Sequence, residues 1–495
     1  MKIHFNPRSV DDYCRFKQVK LLPQYTIVGR EAWFPDEYAS QLGIKTNRKS
    51  VSSPMLHEWM FDYQAAITGL AIEKQKYAIF ADCGLGKTVI FLHFARHAFD
   101  AMNRKRAVLI LSPLNVVRQT VTECRRFFGK DYPLTVLKSS DIQGYLDNPQ
   151  GIGISNYEGL KPELKQGTLG GLILDESSIL KSHYGKWGGV AIRLGRELDW
   201  KLCCTGTPAP NDRIEYANHA VFLDQFPTVN SFLATYFVNR GQTQDRWALK
   251  PHALRPFYRS LSHWSIFLSN PAVHGWRDND TRTIPPIHVT IHPVDMTAEQ
   301  KRIFQTTTGE LLPARMGGIT KRAKLGQLGK GRFNGEDVET NKPGFIRELI
   351  ASWQDKESTI CWCMFNDEQS KMASTLPLSA SITGATKYET RMRYLEGFLA
   401  GETRTMVSKP KILGFGLNLQ IATRQVFSGL ADSYEQYYQA VKRSNRYGSK
   451  FALNVHIPVT ELEEPMVQNV LRKAKLVQQD TEEQESLFRE LGHGG

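Results

Sequence analysis

Residues 77–94 read YAIFADCGLGKTVIFLHF, and this stretch limits the possible folds more than any other part of the chain. Tyr77–Ala81 is a short apolar run with the look of a buried strand. ADCGLGKT follows, and then VIFLHFARHAF, which has the composition of a buried helix. A strand, a Gly-bearing loop and a helix, in that order, let several backbone N–H groups converge on an anion. Here those groups belong to Cys83, Gly84, Leu85 and Gly86, and they can form a concave phosphate cradle. The helix N-terminus adds partial positive charge at the same spot. Gly84 and Gly86 let the backbone approach phosphate oxygens without a Cβ in the way. Lys87 can reach the outer phosphates, and the Thr88 hydroxyl can ligate Mg²⁺. Ala81 stands where the common form of this loop has its first Gly, so the match is not strict. The plain alternative is a Gly-containing helix start with an incidental GKT. The strand–loop–helix context favours nucleotide binding, without naming the reaction.

The rest of the chain alternates short apolar runs with helical stretches, the pattern of parallel α/β lobes. Buried-strand candidates are Tyr77–Ala81, Ala107–Leu111, Gly151–Ile154, Gly171–Leu174 and Lys201–Cys204. A second set is Thr359–Met364, Ala380–Ile382, Thr405–Ser408, Gln425–Ser428 and Ala452–Ile457. Two sets of five imply two sheets. The expected organisation is a small N-terminal module over 1–50, a first lobe over 51–280, a second over 281–460 and a charged helical tail over 461–495, read as an exposed helix. Within the second lobe, residues 321–332 read KRAKLGQLGKGR, with five basic residues and no acid. That run reads equally as a solvated mobile loop or as a linker touching phosphates.

Charge and composition narrow the class. Lys plus Arg total 63 and Asp plus Glu total 50, a formal excess of +13 that suits a polyanionic partner. Hydrophobic residues make up 41%, so the chain is globular rather than disordered. No apolar run reaches the roughly 18 residues of a membrane-spanning helix. The start, MKIHFNPRSVDDY, lacks the apolar core of a secretory signal. Seven cysteines without a CxxC spacing argue against a disulfide framework and a zinc ribbon. A reducing cytoplasm is the expected location. Cys203, Cys204, Cys361, Cys363, Trp353 and Trp362 read as core residues. Trp33 and Phe34 read as packing residues first, with base stacking as the sharper use.

Two further constellations carry chemistry. The apolar run Leu172–Leu174 ends in Asp175–Glu176, and a carboxylate at a strand's carboxyl end faces the ligand crevice of an open α/β sheet. Asp175 would hold Mg²⁺ and Glu176 would polarise the attacking water. A lone acidic pair is more often a helix-capping turn. This pair follows the phosphate loop by about ninety residues, with intervening strands to build the sheet. Near the end of the second lobe, QAVKRSNRYG places Gln439, Arg443 and Arg446 at i, i+4 and i+7, on one face of a helix. Two guanidinium groups on one face repel unless an anion sits between them. The bland reading is a basic surface helix.

Taken in order, these motifs resemble those of superfamily-two helicases, most closely the Swi/Snf-type branch of DNA translocases, over about Met55 to Pro458. The resemblance implies two RecA-like lobes with a nucleotide cleft, ATP and Mg²⁺ as cofactors, and DNA as partner. LHEWMFDYQ resembles the adenine-reading segment, with Gln64 as its glutamine and Tyr63 beside it. ADCGLGKT is similar to that branch's phosphate loop, and DESS occupies the DExx position. LSPLNVVRQT (Ser112, Pro113, Arg118) and ISNYE (Asn156, Tyr157) resemble strand-gripping motifs. CTGTPAPN matches the TGTP motif, through Thr205, Thr207 and Asn211, which in the family couples hydrolysis to DNA movement. ITGATKYETRMRYLEGFLAGE, with Gly384 and Arg391, resembles a second-lobe helix segment. GFGLNLQ, with Gly414, Gly416, Asn418 and Gln420, resembles the motif beside the phosphates. QAVKRSNRYG resembles the QxxxRxxR motif. That implies Gln439 near the hydrolytic water and Arg443 and Arg446 on the triphosphate.

KPKI before GFGLNLQ departs from the small-residue run usual there, and the long insertions of chromatin remodellers have no room. The compact form is similar to helicases of bacteriophages and bacteria. YTIVGREAWFPDEYASQLGI resembles, through a spacing that chance also meets, the small substrate-recognition module of annealing helicases. The implied activity is an ATP-dependent helicase or translocase acting on duplex, single-stranded, forked or branched DNA. The alternatives are an RNA helicase, the motor of a restriction or defence system, and a non-catalytic binding module.

Overall fold

The computed structural model describes residues 2–22, 25–34, 38–44, 56–181, 185–241, 247–276, 284–310, 318–353, 357–376, 378–413, 418–446 and 448–490. The chain divides into two compact units, Met1–Thr281 with Gln479–Gly495, and Arg282–Gln478.

The first unit opens with a small sheet in which β1 (Lys2–His4) and β2 (Thr26–Val28) flank β3 (Glu31–Trp33). Its core gathers Phe5, Val19, Leu22, Phe34, Tyr38 and Leu42. Trp33 and Phe34 are 8% and 3% exposed, so they serve packing. A seven-stranded parallel sheet follows, built from β4 (Lys76–Ala81), β5 (Ala107–Ser112), β6 (Leu134–Val136), β7 (Ile152–Asn156), β8 (Leu169–Asp175) and β9 (Trp200–Cys204). After the hairpin β10 (Phe237–Asn239) and β11 (Trp247–Leu249), β12 (Ser265–Leu268) completes it. The order is β12-β4-β9-β8-β5-β7-β6. Every residue of β5, β8 and β9 is buried, as expected for central strands covered on both faces.

The second unit holds a six-stranded parallel sheet of β13 (Ile287–Pro293), β16 (Ser358–Trp362), β17 (Ala380–Ile382), β18 (Thr405–Ser408), β19 (Ala422–Phe427) and β20 (Leu453–Val459). A short ribbon of β14 (Arg332–Phe333) and β15 (Glu336–Asp337) precedes β16. The order is β13-β20-β19-β16-β18-β17. Cys361, Cys363 and Trp362 are fully buried in its cores.

Both sheets are wider than the five strands expected. β6 and β13 are edge strands with half-exposed or exposed residues, and β12 lies in a stretch dominated by helix. The basic run 321–332 is neither loop nor free linker. It falls largely in the helix Gly318–Gly329, and three of its five cations meet acids: Arg322 with Asp432 at 2.9 Å, Lys330 with Glu463 at 3.2 Å and Arg332 with Asp367 at 2.7 Å. The tail is one helix, Glu464–Glu490, and it is not exposed along its length. Met466, Val467 and Val470 are buried in the second unit, and Leu487 and Phe488 in the first. No described helix is long and apolar enough to cross a membrane.

Candidate active site

Strand order brings the chemistry of the first unit to one edge. From β4 through β9, β8 and β5 to β7, neighbouring strands end in the phosphate loop, Thr205, Asp175–Glu176, Ser112 and Asn156. All run parallel, so all these ends lie at the carboxyl edge, where open α/β sheets bind ligands. Register makes the juxtaposition tight. Ile79 and Asp175 both pair with Cys204, and Thr205 N donates to Ile79 O at 3.1 Å.

In the phosphate loop, Gly84 and Gly86 have φ of 90° and 73°, a left-handed backbone in which a side chain is strained. A Cβ on Gly86 would also collide with Gln64 Nε2. The helix Lys87–Ala101 starts at once and buries Val89–Ala95 against the sheet. Lys87 Nζ donates to Ala81 O at 2.7 Å and Asp82 O at 3.1 Å, so the ammonium curls over the mouth of its own loop. Of the four N–H groups expected to face an anion, that of Cys83 is taken, donating to Asp82 Oδ1 at 2.6 Å. Gln64 sits on the helix Asp62–Lys74 and is buried against the loop. Its Oε1 accepts from Phe61 N at 3.3 Å, and the Tyr63 hydroxyl beside it donates to Leu85 O at 3.1 Å.

Asp175 is 5% exposed. Ser112 Oγ donates to its Oδ2 at 2.7 Å, and Tyr157 donates to its backbone carbonyl at 2.6 Å. Burial first, and then the neighbouring Glu176 charge, push the Asp175 carboxyl up to about 7; the Ser112 donor and Lys87 charge oppose this. Lys87 alone does not balance a buried carboxyl beside a second one. A hard cation with oxygen ligands supplies such charge, so the donor set of Thr88 and Asp175 fits Mg²⁺. Glu176 has φ of 52°, the left-handed region for a non-Gly residue, and its Oε2 accepts from Thr205 Oγ1 at 3.2 Å. Backbone strain of this kind collects at functional sites.

The TGTPAPN turn continues from there. Thr207 N donates to Thr205 Oγ1 at 3.1 Å, and Asn211 donates through N and Nδ2 to Glu215 at 3.0 and 2.9 Å. Thr205 and Thr207 are fully buried, and Tyr157 is 3% exposed. Side chains this buried present almost no surface to a nucleic-acid strand in this structure. Asn156 Oδ1 caps its own short helix by accepting from Gly159 N at 3.2 Å. Pro113 starts the helix Leu114–Phe128, on which Arg118 is exposed.

In the second unit the helix Tyr434–Val441 ends before the arginines, so Gln439, Arg443 and Arg446 do not share one helical face as expected. The chain tightens into three-residue turns there, with Arg443 N bonded to Ala440 O and Ser444 N to Val441 O. Ser449 Oγ then takes the Arg446 N–H at 3.1 Å. Gln439 and Arg443 still meet, Arg443 Nη2 donating to Gln439 Oε1 at 3.1 Å. Leu419 N donates to Arg443 O at 3.0 Å and Gln420 Nε2 to Arg446 O at 3.4 Å, which ties the two motifs together. Asn418 is exposed, and its Oδ1 accepts from Gln420 N. Gly414 and Gly416 lie outside the described residues. Gly384 is exposed in the turn after β17. Sequence reasoning missed Gln425. It is fully buried and donates to Ala440 O and Ser444 Oγ at 3.0 and 2.9 Å, so it holds the arginine turn from below. A glutamine at the head of the apolar run QVF was the available signal.

The family described as SNF2-related domain matches residues 56–334, more than half of the chain, and the helicase conserved C-terminal domain matches residues 341–448. A protein named p41, of Acyrthosiphon pisum secondary endosymbiont phage 1, is 22% identical over 415 residues, covering 77% of this chain and 87% of its own. Among solved structures, the Sulfolobus solfataricus SWI2/SNF2 ATPase core in complex with dsDNA is similar at 19% identity with a TM-score of 0.40, covering 88% of this chain and 96% of that one. The chain belongs to the SNF2-related helicase family, and it is a nucleic-acid-dependent ATPase of that family.

Proposed function

We propose that this ATPase is a DNA translocase, using each hydrolysis cycle to move along duplex, forked or branched DNA. The observation that carries the reading is the bond from Thr205 Oγ1 to Glu176 Oε2. It ties the carboxylate suited to orienting the attacking water to the buried turn that leads to Asn211. A change at the γ-phosphate can therefore be passed to that turn through Glu176.

Lys87 and the loop amides of Gly84, Leu85 and Gly86 bind the phosphates, and Gln64 and Tyr63 set the loop's shape. Thr88 and Asp175 would hold Mg²⁺, which when bound screens the phosphate charge. Ser112 keeps the Asp175 carboxylate oriented. The assignment of Gln439, Arg443 and Arg446 to hydrolysis, and of Asn418 and Gly416 to the nucleotide, rests on their sequence pattern. The excess of 63 basic over 50 acidic residues supports a backbone grip that is independent of base sequence. Pro113, Arg118, Asn156 and Gly384 are the candidates for that grip or for its coupling.

The test is ATP turnover by the full chain with no nucleic acid, single-stranded DNA, duplex, forked DNA and RNA. Stimulation by duplex or fork is the expected result, and stimulation by RNA alone overturns it. Lys87→Ala should abolish turnover. Glu176→Gln should bind nucleotide yet hydrolyse at least about a hundredfold more slowly, as losses of catalytic acid–base groups generally do.

A further inference from the structure

The first unit carries an open cavity of about 620 Å³ that the ATPase chemistry does not use. We infer that it binds an unpaired nucleotide of a single-stranded DNA segment, a subsite that rests on the DNA reading above. Three parts of the chain build it. Tyr25 and Tyr38 come from the N-terminal module, Tyr236 ends the helix Val229–Tyr236, and His252, Arg255 and Arg259 come from residues 251–264. Leu487 and Glu490 of the tail helix close one side.

Size, chemistry and charge agree on the occupant. The volume lies within the roughly 300–1,000 Å³ of pockets that enclose a compact organic ligand. Arg255 and Arg259 are four residues apart on the helix Leu254–Trp264, so they project to the same face. Guanidinium groups match phosphate oxygens. Tyrosines offer faces on which a base can stack. Tyr25 is 36% exposed and accessible to an entering base, while Tyr38 and Tyr236, at 5% and 2%, are buried in the walls. Among the described lining residues Glu490 is the one acid, against two arginines and a histidine. Its pair with Arg255 is 3.3 Å long with side chains 77% and 55% exposed, a weak pairing that a phosphate can displace. The bases of a duplex are paired and stacked, so only an unpaired base presents a face to such a cavity. Trp33 and Phe34, the aromatics that sequence offered for stacking, are buried in or beside the module core, whereas Tyr25 and Tyr38 reach the cavity.

The experiment uses the full chain and a single-stranded oligonucleotide carrying 2-aminopurine, alongside blunt duplex. Tyr25→Ala with Arg259→Ala should weaken single-strand binding by about tenfold, the loss of one stacked base and one phosphate contact. Arg259→Ala alone should lower the slope of log affinity against log salt by about 0.7, the loss of one single-strand phosphate contact. Tyr25→Phe should keep the 2-aminopurine quenching that Tyr25→Ala loses. Blunt-duplex stimulation of ATP turnover should stay unchanged in every variant. Unchanged single-strand affinity overturns the inference, and so does an equal loss on blunt duplex. A labelled Glu-rich peptide that binds the wild type, fails on the variants and leaves single-strand affinity untouched would give the cavity to an acidic protein partner instead. An ATPase stimulated by no DNA sinks the translocase reading. Duplex stimulation together with unchanged strand affinity in the variants sinks only the cavity.

Discussion

His219 is fully buried in the first unit, with Nε2 3.1 Å from Ser177 Oγ, two residues past Asp175, and the Phe80 ring edge-on at 5.3 Å. Nothing in that setting welcomes an imidazolium. Burial pulls its pKa from the ordinary 6.5 down to about 4, although hydrogen bonds act the other way. The folded chain therefore holds fewer protons here than the unfolded chain between those values. Stability from this residue is whole above pH 6.5 and is lost as pH falls toward 4. At pH 5 the loss is about 2 kcal/mol for this one site. His93 and His456 are lowered to about 4 as well, so they act in the same direction. Asp175, raised to about 7, acts in the opposite direction over the same range and offsets part of this loss. Urea unfolding at pH 7.5 and pH 5 should therefore be compared between wild type and His219→Gln, in which the change on going to pH 5 should be about 2 kcal/mol less destabilising. An unaltered change in the variant would contradict a neutral, buried His219.

Elements of the second unit are joined by a charged cluster that is almost wholly inside. Lys330 follows the helix Gly318–Gly329, Lys342 opens the helix Lys342–Ser352, and Glu463 precedes the tail helix; their side chains are 3%, 1% and 2% exposed. Glu463 meets Lys342 at 2.5 Å and Lys330 at 3.2 Å, and Lys342 also donates to Ser428 O at 2.6 Å at the end of β19. Two cations share one anion, so the partners are unequal. Glu463→Gln leaves two ammonium groups facing each other in the interior and should cost about 3 to 5 kcal/mol. Lys342→Met leaves a balanced pair and one unmet carbonyl, which should cost about 1 to 3 kcal/mol. Hydrogen exchange of the β19 and β20 amides would read the difference, and an equal loss in both variants would refute the shared-anion account. The same cluster shows where sequence reasoning stops. The ten expected strands were legible chiefly because inner strands covered on both faces are apolar, as VLIL and LIL are; only β17 among them lies at a sheet edge. The phosphate loop and the acidic pair were legible because each is a local pattern. KRAKLGQLGKGR was not, since the acids that hold it lie 35 to 133 residues further on (367 − 332 and 463 − 330) and no local rule finds them. The arginine turn was misread for the same reason: Ser449 and Gln425, which set its shape, lie outside the helical spacing.

At the scale of the whole chain, the first unit is not finished when the chain leaves it at residue 281. Residues 479–490 return to it after the second unit has been made. Asp480, 5% exposed, accepts three bonds from Arg213 at 2.6, 3.1 and 3.2 Å and one from the Tyr258 hydroxyl at 2.6 Å. Glu485 accepts from Ser269 N at 2.5 Å just past β12, and Gln484 donates to Tyr258 O at 3.1 Å. Leu487 joins the main core, and Phe488 packs edge-on against His274. Each of these two apolar side chains contributes about 1.5 to 3 kcal/mol. Breaking the buried Arg213–Asp480 pair costs a further 3 to 5 kcal/mol or so. Together these losses approach the roughly 5 to 15 kcal/mol that holds a domain folded. A fragment ending at residue 281 should therefore lack a cooperative thermal transition and be cut rapidly by protease. Adding a synthetic peptide of residues 464–495 should restore both, because the docking groups lie on that one helix. A fragment that melts as sharply without the peptide as with it would show the tail to be dispensable. If the rescue holds, the unit that carries the phosphate loop cannot complete its fold until the second unit and the residues through Phe488 have been synthesised.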